Sequence, residues 1–192
     1  MRALRPIPLL LLAACTGLFA PPGAVERYRD APDELGLLAL DVAAGTLDGW
    51  AIVLAADDAD GTEVTFRPEA GAAPASGVAT IARAVPPGRY RAVRVMAVED
   101  GARCGAKDGA GVTRAVYPAR LGGEAPAVAL APGQALYLGR IGLRAQLLAC
   151  EGPTIRVEAR SGAPASASRR LGLPLVAAGP LLPPGTQVLT PR

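Results

Sequence analysis

The chain has 192 residues, a formal net charge of +3, and 51% hydrophobic but only 4% aromatic residues, so its core must be built from Val, Leu, Ile and Ala. Twenty-three Gly and nineteen Pro scattered between short apolar runs exclude a helical bundle and favour many short strands joined by turns. Histidine is absent, which removes Ser-His-Asp and Cys-His nucleophile activation, His proton shuttling and His-based metal sites.

Two arginines, Arg2 and Arg5, precede the apolar run Ile7-Pro8-Leu9-Leu10-Leu11-Leu12-Ala13-Ala14. This run is far shorter than the ~20 residues of a membrane span, so it reads as an export signal. Leu12-Ala13-Ala14-Cys15 resembles the lipobox of bacterial lipoproteins. The resemblance covers the first fifteen residues and implies cleavage before Cys15, lipid on that cysteine and anchoring of the protein to an envelope membrane. Thr16 stands where an Asp retains many such proteins in the inner membrane, so the outer membrane is favoured. The competing reading is ordinary secretion with cleavage after Ala20, but Leu18 and Pro21 fit a small-residue site poorly. Loss of Arg2 and Arg5 with the signal lowers the net charge from +3 to +1, which gives no reason to expect a nucleic-acid partner.

With Cys15 assigned to lipid, Cys104 and Cys150 remain. An exported protein sits where disulfides persist, so a Cys104–Cys150 bridge is expected. In the chain-entropy treatment a loop of that length contributes roughly 4 kcal/mol.

Residues 15–34, with Pro21-Pro22-Gly23 and then a charged stretch, read as a tether between the lipid and the domain. Strands follow. Leu38, Leu40 and Val42 alternate with other residues; so do Trp50, Ile52 and Leu54, and then Val64 and Phe66. Asp57-Asp58-Ala59-Asp60-Gly61 is a turn signal between the last two.

Ala84-Val85-Pro86-Pro87-Gly88-Arg89-Tyr90-Arg91-Ala92-Val93 resembles a recurrent hairpin of transthyretin-like and carboxypeptidase-regulatory-like β-sandwiches, in which a strand ends in a Pro-Gly turn and the next opens with Tyr. The resemblance implies fold rather than activity, and the purine-pathway hydrolases with that fold rely on histidines that this chain lacks. Asp100 to Gly111 reads as a loop carrying Cys104, Val112 to Leu121 as a short strand with Pro118 marking an edge or a break, and Ala127 to Leu130 as another apolar run.

Ala135 to Leu148 gives the strongest strand signal. Tyr137, Ile141, Leu143, Ala145 and Leu147 are assigned to one face, Arg140, Arg144 and Gln146 to the other, and Gly139 and Gly142 suggest a bulge. A last strand alternates Ile155, Val157 and Ala159 with Arg156, Glu158 and Arg160. Residues 161–192 read as a Pro/Gly-rich tail that either packs on the domain or ends in disorder. The expected organisation is therefore a signal over 1–14, a tether over 15–34, a domain over 35–160 and a tail over 161–192. The expected fold is an all-β, antiparallel sandwich of about seven or eight strands, transthyretin-like or immunoglobulin-like.

Candidate chemistry is sparse. Asp58 and Asp60, with Asp57 and Gly61, resemble part of a calcium loop, but the bidentate Glu is missing and a solvated turn is the plainer account. A Ser–Lys dyad would need Lys107, which has no Ser nearby in sequence. Arg140, Arg144, Arg156 and Arg160 form a basic patch if their two strands pair, suited to anionic lipid or polysaccharide; the plainer account is a solvated face on which Glu158 relieves repulsion. The expectation is a lipid-anchored envelope protein that binds or scaffolds a partner, either another envelope protein or a polysaccharide, with no catalytic residue and no cofactor. The competing expectation is an envelope enzyme or enzyme subunit with a loop-borne acidic site that works without His.

Overall fold

A computed structural model describes residues 23–45, 47, 49–57, 61–68, 77–100, 106–107, 113–121, 125–146, 154–182 and 185–189. In chain order the elements are α1 (Ala24–Asp30), β1 (Gly36–Ala43), β2 (Gly49–Ala56), β3 (Glu63–Phe66), β4 (Ala79–Val85), β5 (Gly88–Asp100), β6 (Ala106–Lys107), β7 (Thr113–Arg120), β8 (Val128–Leu130), β9 (Ala135–Gln146), β10 (Thr154–Arg160), α2 (Ala165–Leu171), β11 (Val176–Ala177) and β12 (Gly185–Leu189). The first sheet runs β12-β10-β9-β1-β4, with β11 also on β9; the second runs β3-β2-β5-β7-β6, with β8 on β5. The two sheets pack face to face as an all-β sandwich. Its pairings are antiparallel except β1 with β9 and β11 with β9. The strands beyond the expected seven or eight are short pieces such as β6, β8 and β11, of two or three residues, which carry no periodic signal.

The alternation that marks the strands builds the core between the sheets. Leu38, Leu40 and Val42 of β1 meet Trp50, Ile52 and Leu54 of β2 and Val64 and Phe66 of β3, all buried, and Ile155, Val157 and Ala159 of β10 complete the inner face of the first sheet. Burying each large side chain contributes roughly 1.5–3 kcal/mol. Arg83 of edge strand β4 reaches across to edge strand β3. Its Nε donates to the Thr65 carbonyl at 2.9 Å, and its guanidinium lies 6.0 Å from the Phe66 ring centroid. A charge held between two edges discourages pairing with another chain.

The first sheet also has an apolar outer face at one end. Leu37, Ala39, Ala82, Ala135 and Tyr137 form a second cluster there, closed by Ala167 and Leu175 and by Val25 and Tyr28 of α1. Both flanks of the sandwich take part in this cover, and the C-terminal one follows the packed alternative of the two expected for it. Part of the stretch read as a tether is the docked helix α1, fixed by Tyr28 Oη donating to the Gly133 carbonyl at 2.6 Å and by Arg29 donating to the Gly172 carbonyl at 2.8 Å. The stretch read as a tail supplies α2, β11 and β12, and places Leu181 and Leu182 in the main core at 1% exposure. Gly172, in the left-handed conformation, ends α2, and the Leu173 N–H returns to the Ser168 carbonyl at 3.2 Å. Helices of seven residues cover barely two turns, too little for a periodic signal.

Two local readings change for physical reasons. The Pro86-Pro87 turn does not make a hairpin: β4 belongs to the first sheet and β5 to the second, so the segment is an arch between layers. Two consecutive residues without N–H groups suit a crossover that needs no ladder. Tyr90 closes the arch from inside, donating to the Pro86 carbonyl at 2.6 Å. The second change is on β9, where the register against β1 slips between Ala39 and Asp41, and Gly139 sits at φ +93°. This bulge puts Tyr137 on the outer face and Ile141 and Leu143 on the inner one, so Tyr137 does not share their side as the plain alternation implied.

A Cβ on Gly139 would stand 2.7 Å from the Arg160 carbonyl oxygen, whereas one on Gly142 would meet Glu158 Cβ at 3.6 Å, an ordinary contact. Gly139→Ala is expected to lower stability by about 1–3 kcal/mol in urea unfolding, and Gly142→Ala by much less. Equal stability of the two variants would refute the bulge.

Candidate functional site

Some sequence candidates lie outside the described residues: Cys15, Cys104, Cys150, Asp58 and Asp60. Asp57 is described and is engaged by cations. Arg91 Nη2 donates to its Oδ2 at 3.3 Å, and Arg89 Nε lies 3.9 Å away. Among the described residues no three Cys, Asp or Glu gather in a metal-binding group.

The basic patch is assembled as the alternation requires. β9 and β10 pair antiparallel with Arg140 opposite Arg160, Arg144 opposite Arg156, and Gly142 opposite Glu158 between them. All four arginines are exposed on the outer face of the first sheet, because Ile141, Leu143, Ile155, Val157 and Ala159 take the inner one. Directly opposed like charges on a sheet are unfavourable. Glu158 offsets part of this: its Oε1 accepts from Arg160 Nε at 2.8 Å and from Arg160 Nη2. Those hydrogen bonds, then the Arg160 charge and more weakly Arg144 and Arg140, hold the Glu158 carboxyl below its ordinary range. A groove of about 310 Å³ opens here, lined by Arg140, Gly142, Leu143, Arg144, Glu158, Arg160 and, from the β1 side, Ala43, Gly45 and Gly77. Arg156 is outside the lining. The small residues leave the backbone approachable, and the cations surround one carboxylate. Such a lining suits binding of an anion that also carries hydrogen-bonding groups.

Sequence reasoning missed a second polar cluster. Asp41 is 6% exposed, on the outer face of β1. Its carboxylate receives Thr80 Oγ1 at 2.6 Å, Tyr137 Oη at 3.1 Å, and both oxygens receive Arg170 Nη2 of α2, at 2.9 and 2.8 Å. Arg170 also donates to Thr80 Oγ1 and, at 2.8 Å, to Ser166 Oγ. The signal was an acid inside the otherwise apolar run Gly36–Ala43. With these donors in place, Asp41 ties α2 to the sheet. Burial, followed by the charge and hydrogen bond of Asp41, pushes the Tyr137 hydroxyl up to about 12 from an ordinary 10.

Comparison with protein-family models, with curated proteins and with solved structures returned no match.

The Tyr137 shift fixes a pH window. Its folded value is raised, so its contribution to stability is complete below pH 10 and is lost as pH rises through about 12. In an ultraviolet titration of tyrosinate, the difference between the native chain and Tyr137→Phe is expected to be centred near pH 12. A difference centred near 10 would mean that the phenol is neither buried nor bonded to Asp41.

Proposed function

We propose that this chain is a lipid-anchored protein of the cell envelope, with the outer membrane favoured, that works as a non-enzymatic binding module through the open arginine end of its first sheet. The observation that carries the binding reading is the asymmetry of that face. Two helices close its apolar end over Leu37, Ala39 and Tyr137, while among the described residues none covers the end bearing Arg140, Arg144, Arg156 and Arg160. The anchor reading rests on Arg2, Arg5 and Leu12-Ala13-Ala14-Cys15. No helix among the described residues is long and apolar enough to cross a membrane.

The docked helix sharpens the geometry of anchoring. Since α1 begins at Ala24, the spacer shortens from residues 15–34 to 15–23. Nine residues reach at most about 30 Å, so a lipid on Cys15 would hold the sandwich close to the bilayer surface. An enzymatic reading has less to draw on. Asp41, Asp57, Glu63 and Glu158 each sit against an arginine, Glu63 accepting from Arg94 at 2.9 Å.

Two measurements test the anchored, exported reading. The native chain is expected in the membrane fraction and released by detergent, Cys15→Ala is expected to abolish lipid attachment and move the chain to the soluble fraction, and globomycin is expected to block cleavage before Cys15; unchanged processing under globomycin or retention of Cys15→Ala in membranes refutes the anchor. Alkylation of the denatured mature protein is expected to find one pair of thiols, Cys104 and Cys150, only after reduction. Two free thiols without reductant refute the bridge.

A further inference from the structure

The lining of the arginine groove restricts its occupant more than charge alone does. Arg140 and Arg144 are four residues apart on one strand face, about 13 Å at ~3.3 Å per residue, with Arg160 opposite Arg140. An occupant that satisfies both ends is therefore elongated and carries more than one anionic group. Glu158 lies between these ends. Its bonds to Arg160 use Oε1, while Oε2 overhangs Gly142, 3.9 Å from where a Cβ would stand there. A carboxylate oxygen in that place repels a bare phosphate and accepts a hydroxyl hydrogen. Gly142, Gly45, Gly77 and Ala43 offer backbone and small surfaces, Leu143 is wholly buried, and no aromatic ring among the described residues lines the groove, so it lacks the stacking platform a nucleobase takes and the exposed apolar surface a lipid chain takes. The volume is at the lower end of small-ligand sites.

We propose that this groove binds an acidic sugar segment of an anionic polysaccharide, with ring carboxylates on Arg140, Arg160 and Arg144 and a ring hydroxyl donating to Glu158 Oε2. The proposal deepens the binding-module reading and rests on it. No bond is made or broken; the arginines hold carboxylates in paired N–H···O contacts, and Glu158 rejects ligands that bring charge without hydroxyls.

The test is calorimetric titration of the full chain at low ionic strength with tetragalacturonate, with maltotetraose as the neutral counterpart and with inorganic phosphate. Tetragalacturonate is expected to bind at least tenfold tighter than maltotetraose and to weaken as salt rises. The Arg140→Gln/Arg144→Gln variant is expected to lose at least tenfold in affinity with its thermal midpoint kept or raised, because the substitutions remove like-charge pairs rather than packing. Glu158→Ala, which removes the acceptor as well as the charge, is expected to strengthen phosphate relative to tetragalacturonate. Equal affinity for the two oligosaccharides, an unchanged double variant, or a Glu158→Ala effect that favours tetragalacturonate over phosphate would overturn the proposal. Cys15→Ala is run alongside: if it leaves the membrane yet binds as before, groove and anchor are independent. If anchoring holds and tetragalacturonate fails while phosphate binds, the sugar assignment alone falls. If neither anion binds, the arginine face as a binding surface falls with it.

Discussion

The outer face of β1 must be covered, and much of the molecule is arranged to cover it. Leu37 and Ala39 are as buried as Leu38 and Leu40 on the opposite side, so β1 is a central strand enclosed on both faces. That is the environment of strands in layered α/β sheets rather than of a sandwich open to solvent on its outer faces, and the parallel pairing of β1 with β9 belongs to it. Helices α1 and α2 provide the cover. They are too short to be stable alone, and their hold on the sheet comes from the Asp41–Arg170 pair, the bond from Tyr28 to Gly133 and the bond from Arg29 to Gly172. A carboxylate as buried as Asp41 is unfavourable without compensation. Here it also receives Thr80 and Tyr137, so the polar tie and the apolar cover depend on each other.

The bulge at Gly139 sets where the cover ends. Before it, β9 sends Tyr137 outward into the helix-covered cluster; after it, the outward positions are Arg140, Gly142 and Arg144. Close approach of the Arg160 carbonyl and a positive φ both require glycine at the turn in register. One residue without a side chain thus separates the structural half of the face from the open half.

The alternating runs of β1, β2, β3 and β10 were legible because each has one face on a common core, and period two survives where nothing interrupts it. Tyr137 was misplaced because a bulge adds one residue and inverts the parity beyond it; the glycine was visible, but its effect on facing was not. The arch at Pro86-Pro87 carried correct turn chemistry, yet turn chemistry does not say whether two strands share a sheet. Residues 23–34 and 161–189 read as spacer and tail because their elements are two to seven residues long and take their stability from tertiary contacts. At the groove, the four arginines were legible as a face, since alternation alone orders them. The facing of Gly142 with Glu158, and the contribution of Ala43, Gly45 and Gly77 from distant sequence, depend on register and on β1 lying beside β9. Asp41 was hidden by the apolar run around it.

Arginines on a sheet often protect an edge from pairing with other chains, but that does not account for these. β9 and β10 are interior strands, flanked by β1 on one side and β12 on the other, and the edge of the first sheet near β3 is guarded by Arg83. Placing Arg140 opposite Arg160 and Arg144 opposite Arg156 therefore adds repulsion where no edge needs blocking, and Glu158 compensates mainly the first pair through Arg160. The same face is sealed by helices a few residues away, so the chain has the means to cover it. Among the described residues these repelling cations stand on an uncovered, glycine-lined surface, which lowers stability without aiding the fold, and a bound polyanion would supply the opposite charge that Glu158 alone of those residues provides there.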